Sequence, residues 1–535
     1  MPLPANASAP HARLARRHVI GAGTVIPLLA LLAWTLGARP SARGEPRFTR
    51  AAGAPATDRA STGGVTWVDY DADGDLDLFV TNGYTVSAPP PPVPQPDRLY
   101  RNDGGTLTPV PGGPLATDSA FSSGSTWADY DNDGDLDAFV STQLNQPDLL
   151  YRNEGRGRFT AVRDGDIVNT PGSSFASSWV DVDNDGWVDL FVSNGGLSGP
   201  QKSFLFRNTR DGKFVRVTES PMVRDSVASG GPSWADYDDD GDQDLFLPRI
   251  ISRTVATGGA LYRNDGNWRF TAVTGDAVVT DTVPAISAAW GDMDDDGDLD
   301  LAVGALGGSA SRLYRNTGKG TFERITEGDF VTAPSAAYTV NWADVDNDGD
   351  LDLLQGNWGA ASYLFLNRGD GTLVRTVVGD LGRTIGYASS ATWGDVDGDG
   401  DLDAYVGNWP QFAGEGEENQ FYRNTGSNGN WLLIRLVGTA SNRAALGARV
   451  TVRASIGGRP RTQIREVAAH TGWRSQNALE QHVGLGDAAR ADEIVVRWPS
   501  GRVDRVAAVR ANQRVTITEG QGRAAPVGRS TRPGG

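Results

Sequence analysis

Seven short runs of aspartate carry the most specific chemistry in this chain. The first reads Asp69-Tyr-Asp-Ala-Asp-Gly-Asp-Leu-Asp77, and the same D-x-D-x-D-G-x-x-D frame opens again at Asp129, Asp181, Asp236, Asp292, Asp344 and Asp395. When such a loop curls, the alternate carboxylates at positions 1, 3 and 5 can converge on one point. Glycine at position 6 permits the sharp turn, position 7 offers its carbonyl, and position 9 closes the shell. An all-oxygen shell suits Ca2+, which takes about six to eight hard ligands, better than Mg2+, which prefers a small octahedron with retained water. An EF-hand would place a bidentate glutamate at position 12, but Val80, Val140 and Val192 stand there in the first three loops.

The candidate ligands follow the spacing. The first loop offers Asp69, Asp71, Asp73 and Asp77, with the carbonyl of Asp75. The second offers Asp129, Asp131, Asp133 and Asp137, and the third Asp181, Asp183, Asp185 and Asp189. The fourth offers Asp236, Asp238, Asp240 and Asp244, and the fifth Asp292, Asp294, Asp296 and Asp300. The sixth offers Asp344, Asp346, Asp348 and Asp352, and the seventh Asp395, Asp397, Asp399 and Asp403. Trp187 replaces aspartate at position 7 of the third loop; that position uses its carbonyl, so the site is expected to survive. Each loop gathers carboxylates that repel one another without a counter-ion. The net charge is −17, and seven structural Ca2+ ions would bring it to about −3.

The elements that must hold these loops repeat with them. Each loop follows a tryptophan (Trp67, Trp127, Trp179, Trp234, Trp290, Trp342, Trp393) and precedes an apolar run such as Leu78-Phe-Val80. The intervals between loops are 60, 52, 55, 56, 52 and 51 residues. A second landmark comes after each loop, as in Leu99-Tyr-Arg-Asn102 and Phe421-Tyr-Arg-Asn424, and a third comes before it: Phe48, Leu107, Phe159, Phe214, Phe270, Phe322 and Leu373. Short β-type runs separated by Gly, Asp and Asn turns make each Asp loop the tip of a hairpin. A unit of this length suits one four-stranded blade, so the fold class is all-β: a seven-bladed β-propeller followed by a small β-rich C-terminal domain. An open β-solenoid is the alternative. In a closed ring the Phe48 strand belongs with the last blade, beside Phe421-Tyr-Arg, and locks the two ends together.

The repeated frame resembles the FG-GAP/VCBS repeats of integrin α-subunit propellers and many bacterial surface proteins, over residues 45–428. The resemblance implies loops that bind calcium structurally at one rim. From Asn430 the pattern changes. Trp431-Leu-Leu-Ile-Arg-Leu-Val437, Ser441 to Val450, Arg465-Glu-Val467, Gly472-Trp-Arg-Ser-Gln476, His482-Val-Gly-Leu-Gly486, Trp498-Pro-Ser-Gly501 and Asn512-Gln-Arg-Val515 resemble, in order, the ASPIC/UnbV domain. That domain follows FG-GAP repeats in the cartilage acidic protein-like family and its bacterial members, and the match covers 429–519. Ala469 and His470 stand where the family has a small residue and glycine, and Trp473 where it has Tyr or Phe.

Other residue types exclude as much as they suggest. The absence of cysteine rules out disulfides, thiolate metal sites and thiol catalysis. The acidic balance argues against nucleic acid as a partner. Of the four histidines only His470 and His482 lie beyond the N-terminal segment. His482 with Arg465, Glu466, Ser475 and Gln476 could form a polar cluster, but a hydrogen-bonded structural histidine accounts for it as well. No nucleophile elbow, zinc-protease helix or phosphate loop is evident, so no catalytic residue or organic cofactor is assigned. The loop tryptophans read as inter-blade core, whereas Trp358 and Trp409, in less regular loops, are candidates for a ligand surface.

Arg13, Arg16 and Arg17 precede an uncharged run from Val19 to Ala38, so residues 1–44 read as a signal peptide or an N-terminal membrane anchor. A Pro-rich insertion spans Ala88 to Pro96, and residues 520–535 read as a disordered tail. The expectation is therefore an exported calcium-binding protein, secreted, periplasmic or held at the cell surface. It would act as a binding or adhesion module on an unknown protein or carbohydrate ligand, touching the membrane only through its N-terminal segment. The alternatives are a carbohydrate-active lyase or dehydratase on a propeller scaffold, or an accessory protein in natural-product biosynthesis or export.

Overall fold

Glycine–aspartate turns and runs of β-branched and aromatic residues build four-stranded antiparallel sheets, one for each Asp loop. The structure, a computed structural model, describes residues 46–83, 93–250, 257–410, 416–426 and 429–527. The expected leader and most of the Pro-rich insertion lie outside these residues. The first blade runs Thr62–Val68, Asp77–Asn82, Arg98–Asp103 and Thr106–Pro109. Five more follow in the same order, starting with Ser122–Ala128, Ser174–Val180, Ser233–Ala235, Ala285–Gly291 and Ala337–Ala343. The seventh, Ile385–Gly394, Asp403–Asn408 and Gln420–Asn424, takes its outer strand from the start of the chain. Phe48–Arg50 pairs with it in the register Phe48↔Asn424, Thr49↔Arg423 and Arg50↔Tyr422. The ring is closed, as the position of Phe48 requires, and an open solenoid is excluded.

The tryptophan before each loop is core. Trp127 meets Phe79 of the preceding blade edge-on at 5.4 Å, Trp179 meets Phe139 at 6.2 Å and Trp234 meets Phe191 at 6.0 Å. Trp67 closes the circle on Tyr405 of the last blade. Each indole is thus an apolar wedge between neighbouring sheets, where aromatic pairs add to the burial energy.

The C-terminal domain has two four-stranded sheets. One runs Gln481–Gly486, Asn430–Val437, Gln513–Thr518 and Ala524–Pro526; the other runs Arg459–Glu466, Arg449–Ile456, Arg490–Arg497 and Val503–Arg510. Alternating residues such as Leu432, Ile434, Val450, Val452, Ile494 and Val515 form a core continuous with Trp179 and Phe204 of the third blade. Ala524–Pro526 departs from the expected disordered tail. Gln513–Thr518 leaves an edge open, and the chain turns back to pair Val515 with Pro526 and Ile517 with Ala524.

Residues 467–477 of this domain enter the propeller's central channel, which sequence reasoning missed. Trp127 N–H donates to Gln476 Oε1 at 2.7 Å, and Gln476 Nε2 donates back to Trp127 O at 3.1 Å. Thr126 Oγ1 donates to Ala469 O, Ala391 N–H to Ser475 Oγ and Thr392 Oγ1 to Gln476 O, so inner strands of different blades grip one segment. Gly64 leaves room for the backbone: a Cβ there would stand 2.2 Å from Arg474 O. At the tip, Trp473 is fully buried against Phe175 and Tyr338, and the Arg474 guanidinium lies over Trp473, Phe175 and Trp409 at 3.8, 4.6 and 5.4 Å. Trp409 is fully buried in this cluster and offers no ligand surface, contrary to expectation; Trp358 is half-buried on Tyr338 and Trp409.

Candidate metal centres

Each Asp loop turns because two of its residues take the left-handed backbone region. Position 4 does so with asparagine (φ 59° at Asn132), aspartate, alanine or, in the seventh loop, glycine (φ 75° at Gly398), and position 6 with glycine (φ 105° at Gly134). Asparagine and aspartate tolerate that region better than most residues, and glycine enters it freely. The curl brings positions 1, 3 and 9 together. In the triads Asp69–Asp71–Asp77, Asp129–Asp131–Asp137, Asp181–Asp183–Asp189, Asp236–Asp238–Asp244 and Asp292–Asp294–Asp300, one carboxylate oxygen from each residue lies within 4.8 Å of the others. Two further groups of this kind occur among the described residues.

The backbone fixes the triads. In the last six loops the position-1 carboxylate accepts the N–H groups of positions 5 and 6, as Asp181 does from Asp185 at 3.0 Å and Gly186 at 3.1 Å. Position 5 stands beside the triad. From Asp73 to Asp399 its Oδ1 accepts the position-7 N–H, including that of Trp187 at 2.9 Å. Position 9 accepts at both oxygens: Asp189 Oδ2 from Val182 N–H and Asp189 Oδ1 from Asn208 N–H at 2.8 Å.

The asparagine that ends each second landmark of the repeat, Asn102 to Asn424, ties the loops into a circle. Its N–H donates to the position-9 carboxylate of its own blade in all seven repeats. Its side-chain amide donates to the position-2 carbonyl of the preceding blade's loop at 2.7–2.9 Å, from Asn153 on Tyr70 round to Asn102 on Val396.

The donor set fits a hard cation. Oδ1 of position 3 is buried in Asp131, Asp238, Asp294 and Asp397 with no hydrogen-bond partner among the described residues, as is Oδ1 of Asp69. A buried, unsatisfied carboxylate oxygen is unfavourable unless something positive faces it. Burial, with the neighbouring carboxylates adding to it, pushes Asp69 up to about 6 and Asp129 and Asp292 to about 7. At position 9 the same causes push Asp77 up to about 9 and Asp300 to about 8. In the seventh loop the protein supplies a charge itself: Arg423 lies 2.7 Å from Asp403 Oδ2 and 3.3 Å from Asp397 Oδ2.

The C-terminal domain covers this rim and reaches every loop. Arg435 approaches Asp69 at 3.8 Å and Arg514 donates to Gly74 O. Arg443 N–H donates to Asn132 Oδ1, and Asn442 Nδ2 donates to Asp181 at 3.2 Å. Arg497 pairs with Asp236 and Asp239, and Arg449 with Asp239 and Glu466. Arg461 spans Asp295 and Asp350, Gly484 N–H donates to Asp344 Oδ2, and His482 Nε2 meets Gly400 O at 3.0 Å. Of the cluster suggested around His482, Arg465 stays beside it, donating to His482 O at 3.3 Å, while the polar groups of the others are engaged elsewhere. Glu466 is held by Arg449 and Gln243, Ser475 and Gln476 bind the channel wall, and Arg465 donates to Gln463 Oε1 and backbone carbonyls.

Comparison with known families and proteins bears on both parts. Residues 438–524 match the family described as ASPIC and UnbV, and residues 181–247, 292–355 and 356–406 match the FG-GAP-like repeat. Cartilage acidic protein 1 of Mus musculus is 29% identical over 255 residues, covering 45% of this chain and 38% of that protein. The Xenopus tropicalis protein of the same name is 26% identical over 330 residues, 60% and 41% of the two chains. The matches thus span about two fifths of these relatives' own length. Among solved structures, an Agrocybe aegerita lectin that recognises non-reducing terminal N-acetylglucosamine aligns with TM-score 0.37 and 18% identity, over 62% of this chain and 79% of its own. YCF48 bound to a D1 peptide aligns with TM-score 0.44 and 9% identity, over 72% and 99%. Among the described residues no helix is long and apolar enough to cross a membrane.

Proposed function

We propose, from the premise that this chain is an FG-GAP-repeat β-propeller carrying an ASPIC and UnbV domain, that it is an exported, calcium-braced binding or adhesion module. The observation that carries the reading is the set of converging position-1, -3 and -9 carboxylates, with Oδ1 of Asp131, Asp238, Asp294 and Asp397 buried and without a hydrogen-bond partner among the described residues. Oxygen-only shells of this kind are calcium chemistry. In this reading the triads Asp69–Asp71–Asp77 to Asp395–Asp397–Asp403 hold the ions, and positions 5 and 7 complete the shell. A calcium ion in each loop supplies positive charge where the carboxylates crowd, and the chain's own residues do the rest. The backbone N–H groups orient the carboxylates, the asparagine circle fixes each loop to its neighbour, and the C-terminal arginines screen the rim.

The filled channel supports binding rather than catalysis as the role. The channel axis, where a propeller could enclose a substrate, is occupied by residues 467–477. Recognition then falls to outer faces, with a protein or carbohydrate as partner. The names of the cartilage acidic proteins are compatible with a role outside the cell, and the basic, apolar leader in the sequence supports export.

The test is thermal unfolding of the chain with calcium and with EGTA, together with a count of bound calcium. A midpoint many degrees higher with calcium and about seven ions per chain is expected. Equal midpoints and no bound metal would sink the reading.

A further inference from the structure

Between the inner ends of blades four to seven and the C-terminal domain lies a partly open chamber of about 170 Å³. Its walls include the indoles of Trp234, Trp290, Trp342 and Trp393 and the imidazoles of His470 and His482. Two of the four indoles are satisfied, Trp290 Nε1 by Ser233 O and Trp342 Nε1 by Ala289 O, each across a blade boundary. Trp234 Nε1 and Trp393 Nε1 are buried with no partner among the described residues, as are both ring nitrogens of His470 and Nδ1 of His482. All four side chains are more than nine-tenths buried.

The hydrogen-bonding roles of these atoms follow from their neighbours. His482 Nε2 faces a carbonyl, so it carries the proton and leaves Nδ1 as a bare acceptor. Burial pushes His470 down to about 3 and His482 to about 4, so both rings are neutral. The residues lining the chamber therefore carry two unpartnered indole donors, one imidazole donor and two imidazole acceptors. They present no uncommitted charge. Arg465 is bound to three protein oxygens, Glu480 pairs with Arg514, Glu466 pairs with Arg449, and Asp344 and Asp395 accept loop N–H groups. An empty chamber would leave these five buried groups unsatisfied, which is unfavourable for each. The space equals several water volumes at about 30 Å³ apiece.

We propose that this chamber is a binding site for a small uncharged molecule bearing several hydroxyl groups. A hydroxyl both donates and accepts, which matches a wall of mixed donors and acceptors, and its C–H framework matches the indole faces. An anion would leave the two imidazole acceptors unmatched and a cation the three N–H donors, whereas hydroxyl groups can satisfy both kinds.

The test uses the folded full chain and the neutral series glycerol, erythritol, xylitol and glucose at millimolar concentration. Melting midpoints and tryptophan fluorescence are read against concentration. A saturable rise in midpoint with one member of the series is expected, with half-saturation at least tenfold weaker in Trp393→Phe, which keeps the ring and removes the donor. A crystal structure of the unaltered chain grown with that compound should show it against Trp393 and His482. A linear, non-saturating rise for every compound, an unchanged response in Trp393→Phe, or density for ordered water alone would each overturn the proposal.

Discussion

At the scale of residues, the buried carboxylates decide how the protein responds to pH. Their folded-state pKa values are raised, to about 6 at Asp69, about 7 at Asp129 and about 8 at Asp300, because burial disfavours the charged form. A raised group contributes stability below its unfolded value near 4 and loses it as pH climbs through the folded value. With metal chelated, the melting midpoint should fall between pH 5 and pH 9. Under the proposed function calcium would bind only the deprotonated loops, so its stabilising increment should grow over the same window. Melting curves in EGTA and in calcium across that range check both signs; parallel profiles would mean that the loops do not bind metal. The Asp spacing was legible because each ligand position carries its own residue type. Buried Arg474 and His470 were not. Each is a single polar residue in a segment without periodicity, and only the aromatic and small residues of distant blades make a place for it.

At the scale of elements, the asparagine circle couples loops that the chain separates by more than fifty residues. Replacing Asn264 by alanine removes donors to Val182 O and Gln243 O and leaves both carbonyls buried. A loss of about 2–4 kcal/mol is expected from denaturant titration. A loss below about 0.5 kcal/mol would show that water replaces the amide without penalty. Blade length, strand order and the seam at Phe48 could be read from the sequence, since period-2 runs, turn residues and repeat interval all gave one answer. The strand Ala524–Pro526 could not, because Arg523-Ala-Ala-Pro526 has no strand pattern of its own and forms only on the open edge beside Gln513–Thr518.

At the scale of the whole molecule, the C-terminal domain and the propeller form one unit. Residues 429–527 carry fifteen arginines against seven acidic residues and no lysine. They lie on the face where the Asp loops gather. If the loops hold calcium as proposed, that complementarity and the channel segment together would tie metal binding to domain docking. Stripping the loops of metal would then leave carboxylates repelling within each loop and weaken the surface on which the domain rests. Hydrogen exchange should therefore rise at residues 467–482 on EGTA addition before the blade strands lose protection. Simultaneous loss everywhere would mean that the unit opens only globally.

The seam has a consequence for how the molecule comes into being. Phe48–Arg50 is made first and finds its partner only when residues 420–424 exist, and the channel waits longer still, for residues 467–477. A nascent chain leaving the ribosome holds six blades' worth of sheet with a bare edge at each end and an unfilled axis. Completion is then two late events in a fixed order. A product that stops before residue 420 leaves the Phe48 strand without its partner, and one that stops between 425 and 466 closes the ring around an unfilled channel.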